Sequence, residues 1–238
     1  MEEKFITLKE RKMVCADTIG MWFDYSNIDF DFEPGQYTQI TLLEPIHNDD
    51  EGNTRLFSIA SSPKNKETIM FATRALVSAF NKNILEMPFG AKAQLGDTGG
   101  NTPLHKDSSI PAVFLIGGIG ITPVRCIVEY VTNEKLPYEM HLFYSCRKSS
   151  SAAFLDEFEK WATENPNFNL IPTIDDTNDK NWKYNYGYIN EDMITKHIKD
   201  IKKPIYYVVG PPEMVDAMLE TLSGLGVDKR NIRFEKFG

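Results

Sequence analysis

AVFLIGGIGITPVRCIVEYVTN, residues 112–133, changes its period in the middle. Ala112 to Ile116 form an unbroken apolar run, as a strand buried on both faces requires. From Thr122 the apolar residues recur at helical spacing. Between them lies GGIGITP, Gly117 to Pro123, where Gly118 and Gly120 fill the first two glycine places of the dinucleotide fingerprint GxGxxG. Such glycines permit a tight turn and close backbone approach by a pyrophosphate. Pro123 takes the third place and suits a first helical turn, Thr122 is placed to cap it, and the exposed N–H groups there attract anions. The same string also makes a plain strand-to-helix connection with no ligand, so the motif alone leaves both readings open.

The rhythm continues toward the C-terminus. MHLFYS is followed by SAAFLDEFEKWATE, and IYYVVG by PPEMVDAMLETLSGLG. Apolar strands alternating with amphipathic helices predict a parallel sheet covered on both faces. Gly210 and Pro211 end the last of these strands as Gly117 ends the first, and two such turns bracket the crevice where open α/β sheets bind ligands. At the end of the middle strand the chain reads Tyr144-Ser145-Cys146-Arg147-Lys148. A hydroxyl and two cations stand where a carboxylate for a ribose 2′-hydroxyl is usual, which favours a 2′-phosphate and so NADPH over NADH. A solvated basic turn is the competing reading.

Toward the N-terminus the pattern is different. FITLKERKMV, QYTQITLL, RLFSIAS and TIMFATRALV alternate polar and apolar residues, separated by PGQ, HNDDEGN, SPKNKE and GDTGG. That predicts an antiparallel barrel. SAFNKNILEM, Ser78 to Met87, interrupts it with Phe80, Ile84 and Met87 at helical spacing behind a serine suited to an N-cap. In RLFSIASSP, Arg55, Phe57 and Ile59 share one strand face and Leu56, Ser58 and Ala60 the other. The expected division is a barrel domain over residues 1–107 and an α/β domain over 108–238, with KDSSIP, Lys106 to Pro111, at the junction.

Composition narrows the function. A length of 238 residues gives about 1.6 domains at 150 residues each. With 26 basic and 34 acidic residues the net charge is −8, so no excess positive field exists for nucleic acid. No apolar run approaches the roughly 20 residues that span a bilayer, and MEEKFITLKERK lacks a signal-peptide core, so a cytoplasmic protein without membrane insertion is expected. Cys15, Cys126 and Cys146 are too few for a common iron–sulfur cluster and imply no disulfide. His47, His105, His141 and His197 are dispersed and predict no metal site. Asp49 to Glu51 and Asp175 to Asp179 read as solvated acidic loops, or as a rim for a basic redox partner.

Arg55-Leu56-Phe57-Ser58 is similar to the flavin motif RxYS or RxFS of the ferredoxin-NADP reductase superfamily, and FEPGQY, Phe32 to Tyr37, is similar to the barrel segment before it. GGIGITP resembles the family's GGxGxTP turn and VVGPPEMV its GPPxMV turn. The order matches over nearly the whole chain. The resemblance implies FAD on the barrel, with the RLFS motif as its main contact. Arg55 would pair with the flavin diphosphate, Phe57 would pack on the isoalloxazine, and Ser58 would hydrogen-bond near N5 as the catalytic group. Thr73, Arg74 and Ser78 resemble the second diphosphate segment. Phe237 stands for the aromatic that covers the flavin, in place of the common terminal tyrosine, and Val209 replaces the cysteine many members carry before the glycine of GPP.

These expectations describe an FAD-dependent oxidoreductase. Hydride would come from NADPH, or NADH, and electrons would pass to a separate acceptor: ferredoxin, flavodoxin, an oxygenase component or a small-molecule oxidant. The alternative is a flavin- or nucleotide-binding regulatory or electron-transfer subunit without catalysis of its own.

Overall fold

A computed structural model describes residues 3–75 and 78–237. The alternating half folds into β1 (Lys4–Cys15), β2 (Thr18–Asp24), β3 (Tyr37–Leu42), β4 (Thr54–Ser58), β5 (Thr68–Arg74) and β6 (Lys92–Gly99). All neighbours are antiparallel, in the order β4-β3-β6-β1-β2-β5. The outer strands meet just past β4, where Ala60 N–H donates to the Met70 carbonyl at 2.8 Å and Met70 N–H to Ser61 Oγ at 2.9 Å. The sheet is thereby closed into a barrel, whose core takes the alternate residues Ile6, Leu8, Ile19, Met21, Phe23, Ile69 and Phe71.

Two features of the barrel differ from the sequence expectation. Strand β2 is not among the runs named above, because its connection from β1 passes through Ala16 and Asp17 with no glycine or proline to mark it. GDTGG is not a separator: β6 runs through it to Gly99. Its glycines leave room for the partner strand, since a β-carbon at Gly96 would sit 2.9 Å from Gln39 Cβ and one at Gly99 3.0 Å from the Tyr37 ring. Helix α1 (Ala79–Glu86) forms where expected. Ser78 caps it by accepting Asn81 N–H at 3.2 Å, while Phe80 and Ile84 enter the barrel core. The end of the expected run TIMFATRALV falls on residues 76 and 77, outside the described residues, as does Gly238.

The second half alternates β7 (Ala112–Gly117), α2 (Ile121–Asn133), β8 (Met140–Cys146), α3 (Leu155–Glu164), β9 (Phe168–Ile174), β10 (Asn185–Tyr186), α4 (Glu191–His197), β11 (Ile205–Gly210), α5 (Pro212–Gly224) and β12 (Ile232–Lys236). The sheet is parallel throughout, in the order β10-β9-β8-β7-β11-β12. Successive residues of β7 serve opposite faces. Phe114 and Ile116 pack with Val124, Ile127, Val131 and Phe158 of α2 and α3, whereas Val113 and Leu115 pack with Ile194, Val215, Met218 and Leu222 of α4 and α5. Each such side chain contributes roughly 1.5–3 kcal/mol of burial, so the doubly covered sheet needs no help from disulfides. Cys15, Cys126 and Cys146 are free thiols.

The halves are joined by buried polar contacts. Arg125 of α2 donates through Nη1 to the Ala60 carbonyl at 2.6 Å and through Nη2 to Glu157 of α3, with its guanidinium 5.2 Å and 5.5 Å from the Phe154 and Trp161 ring centroids. Glu129 Oε2 accepts Ser62 N–H at 2.6 Å. His105, expected to be incidental, is instead a buried node of the segment between β6 and β7. Its N–H donates to Tyr207 Oη at 2.8 Å, its Nδ1 lies 2.9 Å from the same oxygen, and its Nε2 lies 2.8 Å from the Ile110 carbonyl. A carbonyl only accepts, so Nε2 carries the proton and Nδ1 accepts from Tyr207. Burial pushes the His105 pKa below its usual value, with Arg233 nearby adding to the effect.

Candidate functional site

The turn after β7 is built by Gly118, in the left-handed region at φ +53°, followed by a single 3-10 turn over Gly118–Gly120 that leads into α2. Gly120, not a side chain, occupies the N-cap. Thr122 therefore does not cap the helix: it lies inside the first turn, and its hydroxyl donates back to the Ile119 carbonyl at 3.1 Å. Pro123 follows in that same turn and is buried, where its missing N–H costs nothing. Gly120 also has a packing task. Its bare face lies against β11, with a β-carbon position 2.6 Å from the Val209 carbonyl oxygen, so its lack of a side chain permits strand-to-turn packing.

A cleft of about 530 Å³ opens beside this turn. Gly117, Gly118 and Ile119 form one wall, Gly210, Pro211 and Met214 a second, and Ser145, Arg147, Asp175 and Tyr188 a third. The barrel contributes Thr73 and Arg74 from the end of β5, and Phe237 lies at the rim with its N–H donated to the Gly210 carbonyl at 2.9 Å. Eight of the residues singled out from the sequence thus converge on one cavity: Thr73, Arg74, Gly118, Ser145, Arg147, Gly210, Pro211 and Phe237. Pro211 precedes α5, which starts with Pro212, so the second wall presents a helix start as the first does. Gly117 must be bare, because a β-carbon there would collide with the Met214 sulfur.

Asp175 is a cleft residue that the sequence reading left in a solvated loop. Its N–H donates to the Cys146 carbonyl at 3.1 Å, continuing the β8–β9 ladder and bringing its carboxyl beside the basic turn. Oδ1 is buried without a hydrogen-bond partner. Desolvation raises its pKa, opposed by Arg147. The signal in the sequence was position: Asp175 directly follows β9, one residue past a strand end that lines the crevice.

On the barrel, Thr38 and Ile40 of β3 stand opposite Phe57 and Arg55 of β4 in the ladder, on the inward face, while Leu56 points the other way and is 58% exposed. Phe57, expected to pack on the isoalloxazine, points inward and leaves little of its ring exposed. Its ring is buried, with centroids 6.0 Å from Phe71 and 5.6 Å from Phe80, because the residue that shares a face with Ile40 and Phe71 is drawn into the core. Ser58 is buried at the end of β4. Arg55 bonds to Asp49, Glu51 and the carbonyls of residues 51, 52 and 54, so the acidic stretch 49–51, exposed as expected of a solvated loop, is also a partner of the motif.

Glu235 of β12 reaches across to the barrel, accepting Asn101 N–H at 2.7 Å, and burial raises its pKa. Among the described residues no group of three His, Cys, Asp or Glu side chains is placed to hold a metal ion, and no helix is long and apolar enough to cross a membrane.

The donor chemistry fits two phosphate-bearing ligands. At α1 an anion already sits between Arg55 and the Ala79 N–H, in the form of the Asp49 carboxylate, so a phosphate has suitable partners there. At α2 the cleft offers Arg74 beside a glycine turn.

Residues 114–220 match the family described as Oxidoreductase NAD-binding domain. The chain is 26% identical over 227 residues to a subunit of the Na(+)-translocating NADH-quinone reductase of Pseudomonas aeruginosa, covering 88% of this chain and 56% of the relative. It therefore spans about half the length of the curated relatives it matches. Among solved structures it is similar to the FAD/NAD-binding domain of nitric oxide dioxygenase from Vibrio cholerae, with a TM-score of 0.83 at 19% identity over the whole of both chains. It is also similar to a variant of ferredoxin-NADP+ reductase from Plasmodium falciparum, with a TM-score of 0.77 at 14% identity, covering 99% of this chain and 96% of that one.

Proposed function

We propose, from the premise that this chain has the two-domain fold of the ferredoxin-NADP reductase superfamily, that it is an FAD-dependent oxidoreductase taking hydride from NADPH or NADH. The barrel domain, residues 1–107, holds the flavin, and the α/β domain, residues 108–238, holds the nucleotide. The observation that carries this reading is the shared cleft: Thr73 and Arg74 of the barrel face Gly118, Gly210 and Phe237 of the other half in one cavity. A hydride donor bound along the α/β wall is thereby presented to the barrel. Flavin, when bound, supplies the conversion of a two-electron hydride into single electrons.

The chain's own part is binding and alignment. Arg55, Thr73, Arg74, Ser78 and the start of α1 hold diphosphate, Ser58 offers its hydroxyl near N5, and Phe237 shields the cleft. The glycine walls at 117–118 and 210–211 let the nicotinamide nucleotide lie close to backbone. Ser145 and Arg147 favour a 2′-phosphate, while Asp175 beside them opposes a second negative charge. Within these 238 residues three dispersed cysteines cannot form a four-thiolate cluster, so electrons leave the flavin for an acceptor outside the two domains described. Ferredoxin, flavodoxin, an oxygenase component and small oxidants fit that requirement; a quinone-linked carrier is suggested by the name of the Pseudomonas relative.

Anaerobic stopped-flow mixing of the flavin-loaded protein with NADPH and with NADH tests this. Bleaching of the flavin band by at least one nucleotide is the expected result. If neither bleaches it, the enzyme reading fails. A second reading, a nucleotide-binding subunit with little flavin, draws on the saturation of Arg55 by its own loop. Tight nucleotide binding by a protein that takes up no flavin would select it.

A further inference from the structure

The loop between β3 and β4 brings a carboxylate to the point where two anion-binding groups converge. Asp49 Oδ2 accepts the N–H of Ala79, the first residue of α1, at 3.1 Å, and Asp49 Oδ1 lies 3.4 Å from Arg55 Nη2. Glu51 Oε2 reaches the same nitrogen at 2.8 Å, and Arg55 Nη1 donates to the carbonyls of Glu51, Gly52 and Thr54, each at 2.9 Å. The guanidinium also lies 5.3 Å from the Phe80 ring centroid. Both of its terminal nitrogens have partners before any ligand arrives.

The loop is strapped along the length of α1. Asn83 Oδ1 accepts the N–H groups of Ile46 and His47, both at 2.8 Å, and Asn83 Nδ2 donates to the His47 carbonyl at 2.7 Å. His47 Nε2 lies 2.8 Å from Glu86 Oε2 in the last turn. A segment fastened at His47 and again at Asp49 holds its acidic residues in place without burying them deeply. A diphosphate seeking Arg55 and the start of α1 meets carboxylates already there, and like charges within about 4–6 Å repel.

We infer that Asp49 is an internal competitor of the cofactor's diphosphate, and that the 47–53 loop keeps Arg55 and the first turn of α1 closed until a flavin dinucleotide displaces it. The inference rests on the flavin reading given above. Glu51 shares Arg55 but is largely exposed and touches only one of the two groups; Asp49, which bonds both, is the residue that must be released. Occupancy of the barrel is then set by the loop as much as by the site beneath it.

The full chain, stripped of flavin, is titrated with FAD and with riboflavin while flavin fluorescence is followed, in the native form and in D49N and D49A. Loss of a charge-assisted bond that competes with the ligand raises FAD affinity about tenfold in both variants. Riboflavin, which has no phosphate, binds all three alike. Independently of any substitution, hydrogen exchange at residues 47–53 of the native chain speeds up when FAD is added. FAD affinity that is unchanged or lower in both variants, an equal gain for riboflavin, or exchange that slows on FAD addition overturns the inference and leaves the flavin reading standing. Absence of any flavin binding by the native chain and both variants, with nucleotide binding retained, overturns the flavin reading and the inference with it.

Discussion

Arg74 Nη2, at the end of a barrel strand, lies 2.6 Å from the place a β-carbon on Gly118 would occupy. The two residues belong to different sheets and meet at the cleft, so the bare glycine admits the guanidinium as well as setting the turn. Gly118 has φ +53°, where a side chain costs about 1–2 kcal/mol. Gly118→Ala is therefore expected to destabilise the fold by about that amount and to push Arg74 out of the cleft. Thermal melts check the first effect, and NADH or NADPH titration, weakened at least severalfold, checks the second.

Gly120→Ala acts differently. Its φ of −57° is helical and unstrained, but the added carbon would stand 2.6 Å from the rigid Val209 carbonyl. An overpacking loss of about 1–3 kcal/mol is expected, with separation of β11 from the turn. Denaturant melts measure it, and a loss below about 1 kcal/mol would contradict the packing role.

On the proposed 2′-phosphate reading, Arg147 and Asp175 are expected to pull nucleotide preference in opposite directions. Arg147→Ala is expected to raise the KM for NADPH about tenfold, with little change for NADH, as loss of one charge-assisted bond to a 2′-phosphate implies. Asp175→Asn removes a buried, unpartnered carboxylate oxygen beside that phosphate and is expected to improve NADPH relative to NADH. The ratio of kcat/KM for the two nucleotides reads both changes.

Ser58 is buried at the end of β4, and Ser58→Ala removes a hydroxyl while keeping the Cβ that packs there. The substitution is expected to slow flavin reduction about tenfold and to leave the melting temperature nearly unchanged. Stopped-flow rates beside a thermal melt separate those outcomes.

Acidification is expected to weaken the fold through His105. The unfolded side chain titrates near 6.5, and the buried one lower, so the unfolded state takes up its proton first. Stability is then level above that pH and falls from 6.5 down through the folded value. His197, also shifted downward by burial, adds in the same direction. Unfolding free energies measured from about pH 8 to about pH 5 give the slope. His105→Gln is expected to remove part of it, and a slope unchanged by that substitution would locate the titration elsewhere.

What the residues announced in advance was local. RLFS alternation placed Arg55 and Phe57 on a common face, Ser78 announced its cap, and the change of period near Ala112 separated a barrel from a parallel sheet, because periods of 2 and 3.6 are fixed by neighbouring backbone geometry. Whether a face points inward or outward is not local. Phe57 is drawn in by its ladder position opposite Thr38 and its ring contacts with Phe71 and Phe80. Gly120 owes its role to Val209, His105 to Tyr207, and Arg55 to a loop that composition alone would leave in solvent. Each of these partners is chosen by register and packing, not by the residues on either side. The candidate cleft was more legible than the barrel site, since strand ends and glycine turns mark it directly.

The Arg125 strut limits how such a protein is rearranged. One guanidinium serves a backbone carbonyl of the barrel and a carboxylate of the neighbouring helix, and two rings lie beside it. A chimaera made by joining this nucleotide half to a foreign barrel loses the Arg125 bond across the boundary unless the graft supplies an acceptor at the position of Ala60, while Glu157 and Glu129 still pair the cation.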